Sequence, residues 1–176
     1  MSSGELGDPR DRPVEDPASF YRAHANELTH FATSLVGPAD APDVVANAVA
    51  KTLAAREWST LDSPRAYLFR AVYREAMSWR RLAARRSVRH ALDAERLSAV
   101  ERTVTTPEHD SRVAAAVARL SARQRAVVVL TYWGDRSIDE IARMLGTSEG
   151  TVKKHLARAR QSLRSMLETK DGETER

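Results

Sequence analysis

The chain has 176 residues and a net charge of +4, and 42% of its residues are hydrophobic, with only 7 glycines and 7 prolines. It contains no cysteine, which excludes disulfides, thiolate metal ligands and cysteine nucleophiles. No apolar run approaches the roughly 20 residues that span a bilayer, so we expect a cytoplasmic protein that is not inserted in a membrane.

The composition and the hydrophobic periodicity both favour helix. Alanine, leucine, arginine and glutamate enter a helix at low cost, and no alternating strand pattern appears. We therefore predict an all-α fold of two small helical domains joined by a flexible linker, the second a four-helix domain with a helix-turn-helix. The predicted segments are a tail at 1–16, a first domain at 17–86, a linker at 87–106, a second domain at 107–167 and a tail at 168–176.

Two helices are predicted after the amino-terminal tail. Residues 1–16 are polar and acidic, so they have little to bury and do not resemble a signal peptide. Asp16-Pro17 starts the first helix as an N-cap acid followed by proline, and Gly37-Pro38 ends it. Asp40 is expected to cap the second helix, which runs to about Arg56. The side chains expected to face the core are Phe20, Ala23, Leu28, Phe31, Leu35, Val44, Val45, Ala48, Val49 and Leu53.

The third predicted helix is strongly basic. Ser63-Pro64 repeats the cap-plus-proline signal, and we expect the helix to run to about Arg86. Between residues 63 and 90 there are eight arginines and a single acid, Glu75. Such a block is typical of phosphate contacts, although charge alone fits a solvated surface equally well. Tyr67, Leu68, Ala71 and Val72 are expected to form the apolar face.

The second half predicts four helices, of which the last two form a helix-turn-helix. They lie near Pro107–Arg119, from Ser121 to Trp133, from Ser137 and from Ser148. Ser137 and Glu140 have the spacing of a capping box. Ile138, Ile141, Ala142 and Leu145 then form a buried stripe, and Gly146 permits the sharp turn that follows.

The last helix has a basic side opposite its apolar side. Between residues 151 and 164 there are five basic residues and no acid. Val152, Leu156, Ala159 and Leu163 are expected to face inward. The opposite direction carries Gly150, Lys154, Arg158 and Gln161, flanked by Thr151 and Lys153. A helix of this kind can enter the major groove of DNA, with its lysines and arginines on phosphates.

These residues carry a family resemblance. The stretches from Leu120 to Val127 (LSARQRAV), from Leu130 to Gly134 (LTYWG), from Ser137 to Ala142 (SIDEIA) and from Gly150 to Lys153 (GTVK) closely resemble the carboxy-terminal DNA-binding region of extracytoplasmic-function sigma factors. The resemblance implies recognition of an upstream promoter element. The implied contact residues are Ser148, Glu149, Gly150, Thr151, Lys153, Lys154, Arg158 and Gln161.

The first domain resembles, more loosely, the amino-terminal region of the same family of proteins. The pattern from Phe20 to Asp43 is similar to the region that grips RNA polymerase, and Ser63–Leu68 with the arginines that follow resembles the part that meets the downstream promoter element and opens DNA. Implied partners are promoter DNA and core RNA polymerase through its beta-prime and beta subunits. The implied polymerase contacts are Asp40, Asp43, Asn47 and Lys51. The implied downstream-element contacts are Arg70, Arg74, Glu75, Trp79, Arg80, Arg81, Arg85 and Arg86.

The chain departs from the family pattern at two places. Pro42, Ala46 and Asn47 stand where the family usually has Glu, Gln and Glu, which alters the implied polymerase contact. Glu75 and Trp79 stand where the family usually has Asn and Asp, on the helix that opens the strands. Trp79 could stack on an unpaired base, but packing against Tyr73 and Leu82 is the favoured interpretation.

No catalytic constellation, metal site or cofactor site is predicted. The five histidines have no metal-ligand spacing, His24 is expected to be packed or half-exposed, and Tyr132-Trp133 is expected to pack in the core and turn. The family resemblance implies a protein that is not an enzyme and that works as a monomer within the holoenzyme. It also raises an anti-sigma protein as a further partner.

Three alternatives remain. A regulator with a LuxR-type helix-turn-helix would also accommodate Ser148–His155, but it would dimerise on DNA and carry a sensing domain with strands. A helical enzyme would need a catalytic constellation that the sequence lacks. The third alternative is a sigma-like protein that has lost promoter opening, and the unusual residues Glu75 and Trp79 are the reason to retain it. Such a protein would initiate transcription only on pre-melted DNA.

Overall fold

Seven α-helices and no strand form the part of the chain that the structure, a computed structural model, describes: residues 17–54, 61–93 and 108–171. This confirms the predicted all-α class. The predicted tail at 1–16 and most of the predicted linker lie outside the described residues. The helices are α1 (Pro17–Val36), α2 (Ala41–Leu53), α3 (Pro64–Asp93), α4 (Glu108–Arg119), α5 (Ala122–Tyr132), α6 (Ile138–Leu145) and α7 (Glu149–Asp171).

Of the side-chain caps predicted at the starts of α2 and α3, the one at α3 is present and the one at α2 is not. The Ser63 hydroxyl accepts a hydrogen bond from the backbone N–H of Ala66 at 3.3 Å, as its position before Pro64 predicts. Asp40 occupies the N-cap position of α2, but its side chain makes no capping bond. The helix α3 runs to Asp93, beyond the end predicted near Arg86.

The core of the first half forms where α1, α2 and α3 meet. Leu28, Leu35, Val44 and Val72 have no exposed surface, and Phe31 has 2%. Burying a side chain of this size contributes about 1.5–3 kcal/mol, so these contacts hold the three helices together.

Two of the predicted core positions are wrong. Ala23 is exposed and its neighbour His24 is buried instead, with its ring centroid 4.5 Å from that of Phe20. Leu53 is 43% exposed, and the adjacent Thr52 takes the buried position. Thr52 tolerates burial because its hydroxyl donates to the carbonyl of Ala48 at 2.8 Å.

The second half follows the local sequence signals closely. Ser137 and Glu140 form the predicted capping box at the start of α6, and Ser121 and Gln124 form a second one at α5. In α6 the stripe is completed by Met144, 2% exposed, and in α7 Val152 and Ala159 have no exposed surface. The predicted helix-turn-helix is therefore present as α6, a turn at Gly146, and α7.

The two halves pack against each other rather than standing apart. Helix α1 contacts α5, and α3 contacts α6, so that the buried residues form one continuous cluster. We call this contact of α1 and α3 with α5 and α6 the seam. It places the third helix, with its arginines, directly beside the helix-turn-helix.

Candidate nucleic-acid interface

The turn between α6 and α7 presents the amino terminus of α7 outward. Gly146 ends α6 in the left-handed conformation, with φ of 65°. At the start of α7 the Ser148 hydroxyl accepts a hydrogen bond from the backbone N–H of Thr151 at 3.3 Å. Glu149 and Gly150, which precede Thr151 in this first turn, are exposed, and the helix dipole at this end favours a phosphate.

The predicted recognition side of α7 is open to solvent. Thr151 is the exception, because it is half-buried and lines a small cavity with Tyr73 of α3 and Arg123 of α5. The exposed members of the predicted set are Ser148, Glu149, Gly150, Lys153, Lys154, Arg158 and Gln161.

The basic side chains on this side of α7 differ in whether an acidic neighbour already pairs with them. The Lys153 ammonium lies 3.1 Å from a carboxylate oxygen of Glu149, one turn away. Lys154 and Arg158 have no ion-pair partner among residues 17–54, 61–93 and 108–171. Burial, and then the nearby charges of Arg123, Arg158 and Lys154, lower the pKa of His155, which disfavours a positive charge on its ring. Lys154 and Arg158 are thus the strongest phosphate candidates on α7.

Gly146 gives a direct test of the turn. We expect Gly146→Ala to destabilise the fold by about 1–2 kcal/mol, because a non-glycine residue is strained at positive φ. The added Cβ would also stand 3.2 Å from Nε of Arg70. The measurement is the midpoint of urea unfolding. Gly150→Ala is the matched control: its Cβ would meet nothing nearer than Ser148 Oγ at 4.0 Å, so that variant should be neutral or slightly stabilised.

The arginines of α3 face a cleft that the sequence did not predict. It has a volume of about 900 Å³ and reaches from α2 across α3 to α5. Arg123 of α5 lines the same cleft as the α3 side chains. The two helices meet there because the halves pack along the seam, and local sequence does not indicate that contact. The basic lining residues are Lys51, Arg70, Arg74, Arg80, Arg81 and Arg123.

The structure separates the predicted downstream-element residues by what they contact. Arg74, Arg81 and Arg85 are exposed, whereas Arg80 donates to the carbonyl of Leu35 at 2.7 Å. Trp79 is half-buried and packs against the core. The side chain of Arg86 lies outside the described residues. Arg70 is half-buried and is bonded across the seam, as described below.

Glu75 and Lys51 form a contact between the predicted downstream-element residues and the predicted polymerase-binding residues. The Lys51 ammonium of α2 lies 2.6 Å from a carboxylate oxygen of Glu75 on α3, and the Glu75 side chain is only 19% exposed. Asp43, Asn47 and Lys51 are exposed along α2, and Asp40 is half-exposed at its start. Glu75 therefore contacts the predicted polymerase-binding helix.

The prediction for Tyr132 and Trp133 is wrong. Both are more than half exposed, at 55% and 56%, because they lie where α5 ends. The Tyr132 hydroxyl accepts a hydrogen bond from Nε of Arg160 at 2.8 Å, and Trp133 borders a cavity of about 390 Å³ at the seam. Neither is a core residue.

The described residues contain no cluster of ligating side chains that could hold a metal ion. None of their helices is long and apolar enough to cross a bilayer.

Comparison with known proteins places the chain among transcription proteins. Residues 111–163 match the family model for Sigma-70, region 4. The chain is 33% identical over 158 residues to the RNA polymerase sigma-E factor of Streptomyces coelicolor, covering 86% of both proteins. It is 33% identical over 158 residues to the ECF RNA polymerase sigma factor SigL of Mycobacterium tuberculosis, covering 85% of this chain and 88% of that one.

The fold has a solved counterpart. The sigma factor RpoE of Bartonella quintana, crystallised with the anti-sigma factor NepR, superimposes with a TM-score of 0.66 and 23% sequence identity. The match covers 88% of this chain and 98% of that one, so it includes both halves.

Proposed function

The chain belongs to the extracytoplasmic-function sigma factors of bacterial RNA polymerase, and we propose that it divides promoter recognition between α7 and α3. As a sigma factor it binds core RNA polymerase and directs promoter-specific initiation of transcription. Sigma factors are non-catalytic regulators, and this chain is proposed to act in the cytoplasm through binding alone.

The upstream element is assigned to the helix-turn-helix. The observation that carries this assignment is the outward side of α7, where Lys154 and Arg158 are exposed without acidic partners among the described residues. Their ammonium and guanidinium groups would hold phosphates and fix the register. Gln161 is the neighbouring exposed, uncharged polar side chain that could contact base edges.

The downstream element and the polymerase are assigned to neighbouring helices. Arg74, Arg81 and Arg85 would contact phosphates from α3. Asp43, Asn47 and Lys51 would contact the polymerase from α2, whose opposite side packs into the core through Val44 and Val45. The Lys51–Glu75 pair puts the two contact surfaces next to each other.

An anti-sigma protein is a proposed further partner. The sigma factor RpoE, which shares this fold, was crystallised with the anti-sigma factor NepR. A protein inhibitor that covers the exposed surfaces of α2 and α3 would block polymerase and DNA together. The chain is proposed to be monomeric within the holoenzyme.

The experiment is capture of purified bacterial core RNA polymerase with this chain, followed by transcription from a genomic promoter library. Stoichiometric binding with discrete new start sites is expected. Failure to bind polymerase, with tight sequence-selective DNA binding by the chain alone, would favour the regulator alternative instead.

A second candidate function is a sigma-like protein that binds polymerase without opening promoters. It is favoured by Glu75, which is paired with Lys51, and by Trp79, which packs against the core. Neither side chain is free to take an unpaired base in this conformation. Transcription that starts only on templates melted in advance over the start region would select this function.

A further inference from the structure

The cleft across α3 combines positive charge with an aromatic ring on one face of that helix. Tyr67, Arg74 and Arg81 all line it, and they follow one another at intervals of seven residues. Seven residues make almost two turns of an α-helix, so the three side chains leave the same face of α3, about 10 Å apart along its axis. Lys51 of α2 and Arg123 of α5 also line the cleft. Three helices therefore contribute its positive charge.

Three of the basic side chains in the cleft are already bonded. Nε and a terminal nitrogen of Arg70 both donate to the backbone carbonyl of Arg143, at 3.1 and 2.6 Å. Arg80 donates to a backbone carbonyl of α1. Lys51 pairs with Glu75, the one carboxylate among the lining residues that the structure describes. These bonds hold the side chains in place and leave the uncompensated charge of the cleft to the other arginines.

The other three arginines face the cleft without an acidic partner. Arg74 and Arg81 are exposed and form no ion pair within the part of the chain that the structure describes. Burial raises the pKa of the Tyr73 hydroxyl, and the neighbouring Arg123, by its charge and a hydrogen bond, opposes that rise. A guanidinium has five N–H donors, so one neutral partner leaves most of those of Arg123 for an anion. Like charges that line one cleft repel one another, and an anion bound between them removes that repulsion.

The size and the lining of the cleft fit a small ligand with several phosphates. Its volume of about 900 Å³ lies within the range of about 300–1,000 Å³ that is usual for small-molecule and cofactor sites. A guanidinium pairs with phosphate oxygens through two parallel hydrogen bonds, which an ammonium does not do. Arginines on separate turns and on a second helix each need an anionic group, and a chain of linked phosphates supplies them. Tyr67, nearest the start of α3, offers a ring on which a nucleobase can stack.

We propose that this cleft binds a nucleoside polyphosphate, with Arg74, Arg81 and Arg123 on its phosphates and Tyr67 against its base. The binding does not rest on the proposed function, because it involves only this chain and a small anion. Its consequence does rest on that function: Arg74 and Arg81 are also the proposed contacts to the downstream element, so the ligand and promoter DNA compete for them. At a ligand concentration of about ten times its Kd, such competition weakens promoter affinity by about tenfold.

The test is isothermal titration calorimetry of the purified chain with ATP. We expect saturable binding of one ATP per chain. Arg74→Gln, Arg81→Gln and Arg123→Gln should each weaken it by a factor of about ten or more, because each removes a charge-assisted hydrogen bond. Arg74→Lys keeps the charge but loses the paired donors, so its affinity should lie between that of Arg74→Gln and that of the unsubstituted chain.

Inorganic tripolyphosphate, which has no base, tests the contact of Tyr67. Stacking of a base on an aromatic ring is equivalent to a factor of about ten in affinity. Tyr67→Leu should therefore weaken ATP binding about tenfold and leave the affinity for tripolyphosphate unchanged. An equal effect of Tyr67→Leu on both ligands, or none on either, would overturn the base contact and assign the cleft to free polyphosphate.

Arg119→Gln is the matched control, because Arg119 is exposed on α4 and does not line the cleft. Its affinity for ATP should equal that of the unsubstituted chain, and thermal unfolding checks the fold of every variant. If Arg119→Gln weakens ATP binding as much as Arg74→Gln, or if binding does not saturate at one ATP per chain, the net charge alone attracts the anion and the site is rejected. A single-stranded oligonucleotide that binds through Arg74 where ATP does not bind would also overturn the proposal.

Promoter binding by the holoenzyme, measured on the same variants without nucleotide, separates this proposal from the proposed function. If Arg74→Gln weakens ATP binding but leaves promoter affinity unchanged, the ligand site stands and Arg74 is not a downstream-element contact. If Arg74→Gln weakens promoter binding and the chain does not bind ATP, the downstream-element assignment stands and the ligand site is rejected.

Discussion

Replacing Lys154 and Arg158 together with alanine is expected to weaken binding to the upstream promoter element by about 100-fold, since each lost phosphate contact costs about 1.4 kcal/mol, a factor of ten. Both side chains are exposed on α7 and contribute nothing to the core. We therefore expect the fold and the affinity for core polymerase to remain unchanged. The measurement is holoenzyme binding to a duplex that carries the upstream element, with thermal unfolding as the check on the fold.

The salt dependence of binding makes this prediction sharper. Two lost phosphate contacts should reduce the slope of log K against log salt by about 1.8. A matched control removes two exposed charges away from α7, Arg22→Ala on α1 with Arg119→Ala on α4, and should keep the slope. If the Lys154 and Arg158 double variant folds but loses polymerase binding, the roles of the two halves are assigned wrongly.

Replacing Glu27 with alanine is expected to lower the free energy of unfolding by about 2 kcal/mol, or about 4–8 °C in Tm for a chain of this size. Both carboxylate oxygens of Glu27 accept from one terminal nitrogen of Arg65 at 2.7 Å, and the Arg65 side chain is only 3% exposed. Removing the partner of a buried guanidinium costs about 3–5 kcal/mol, and water reaching the 40% exposed position of Glu27 reduces that cost.

The same pair predicts how stability depends on pH. Partial burial opposes ionisation of Glu27, but the hydrogen bond and charge of Arg65, with Arg136 and His24, outweigh it and hold the pKa of Glu27 below its ordinary value. The stabilisation is therefore complete above about pH 4.3, the pKa of an unperturbed Glu, and is lost as pH falls through the lowered pKa of the folded state. The stability gap between the natural chain and Glu27→Gln should close over that range. Glu168→Gln, which removes a carboxylate from an exposed position, is the matched control for this comparison.

The helix-turn-helix could be predicted because its signals are local. The Ser137–Glu140 capping box and Gly146 each act within a few residues, and the structure contains both as the sequence indicates. The prediction of buried residues is less accurate where the helical spacing of apolar residues disagrees with how the helices pack. Ala23 and Leu53 fit the apolar spacing, yet His24 and Thr52 are buried in their place because each finds a partner inside.

The contacts that matter most for the proposals could not be predicted from local sequence. Arg70 and Arg143 are 73 residues apart, and Lys51 and Glu75 are 24 apart. Nothing in the spacing of either pair indicates that they meet, because their contact depends on how whole helices pack. Arg123 joins the α3 cleft for the same reason.

If α2 contacts the polymerase and α3 contacts DNA, as proposed, the Lys51–Glu75 ion pair couples the two binding events by thermodynamic linkage. If an acidic group of the polymerase forms an ion pair with Lys51, the Glu75 carboxylate loses its partner on α2. Its negative charge then acts on the neighbouring arginines of α3. That added negative charge changes the affinity of α3 for phosphates by some factor. Because binding free energies form a closed cycle, promoter DNA must then change the affinity for polymerase by the same factor. A mutation at Glu75 would therefore alter both affinities, even if it touched only one of the two partners.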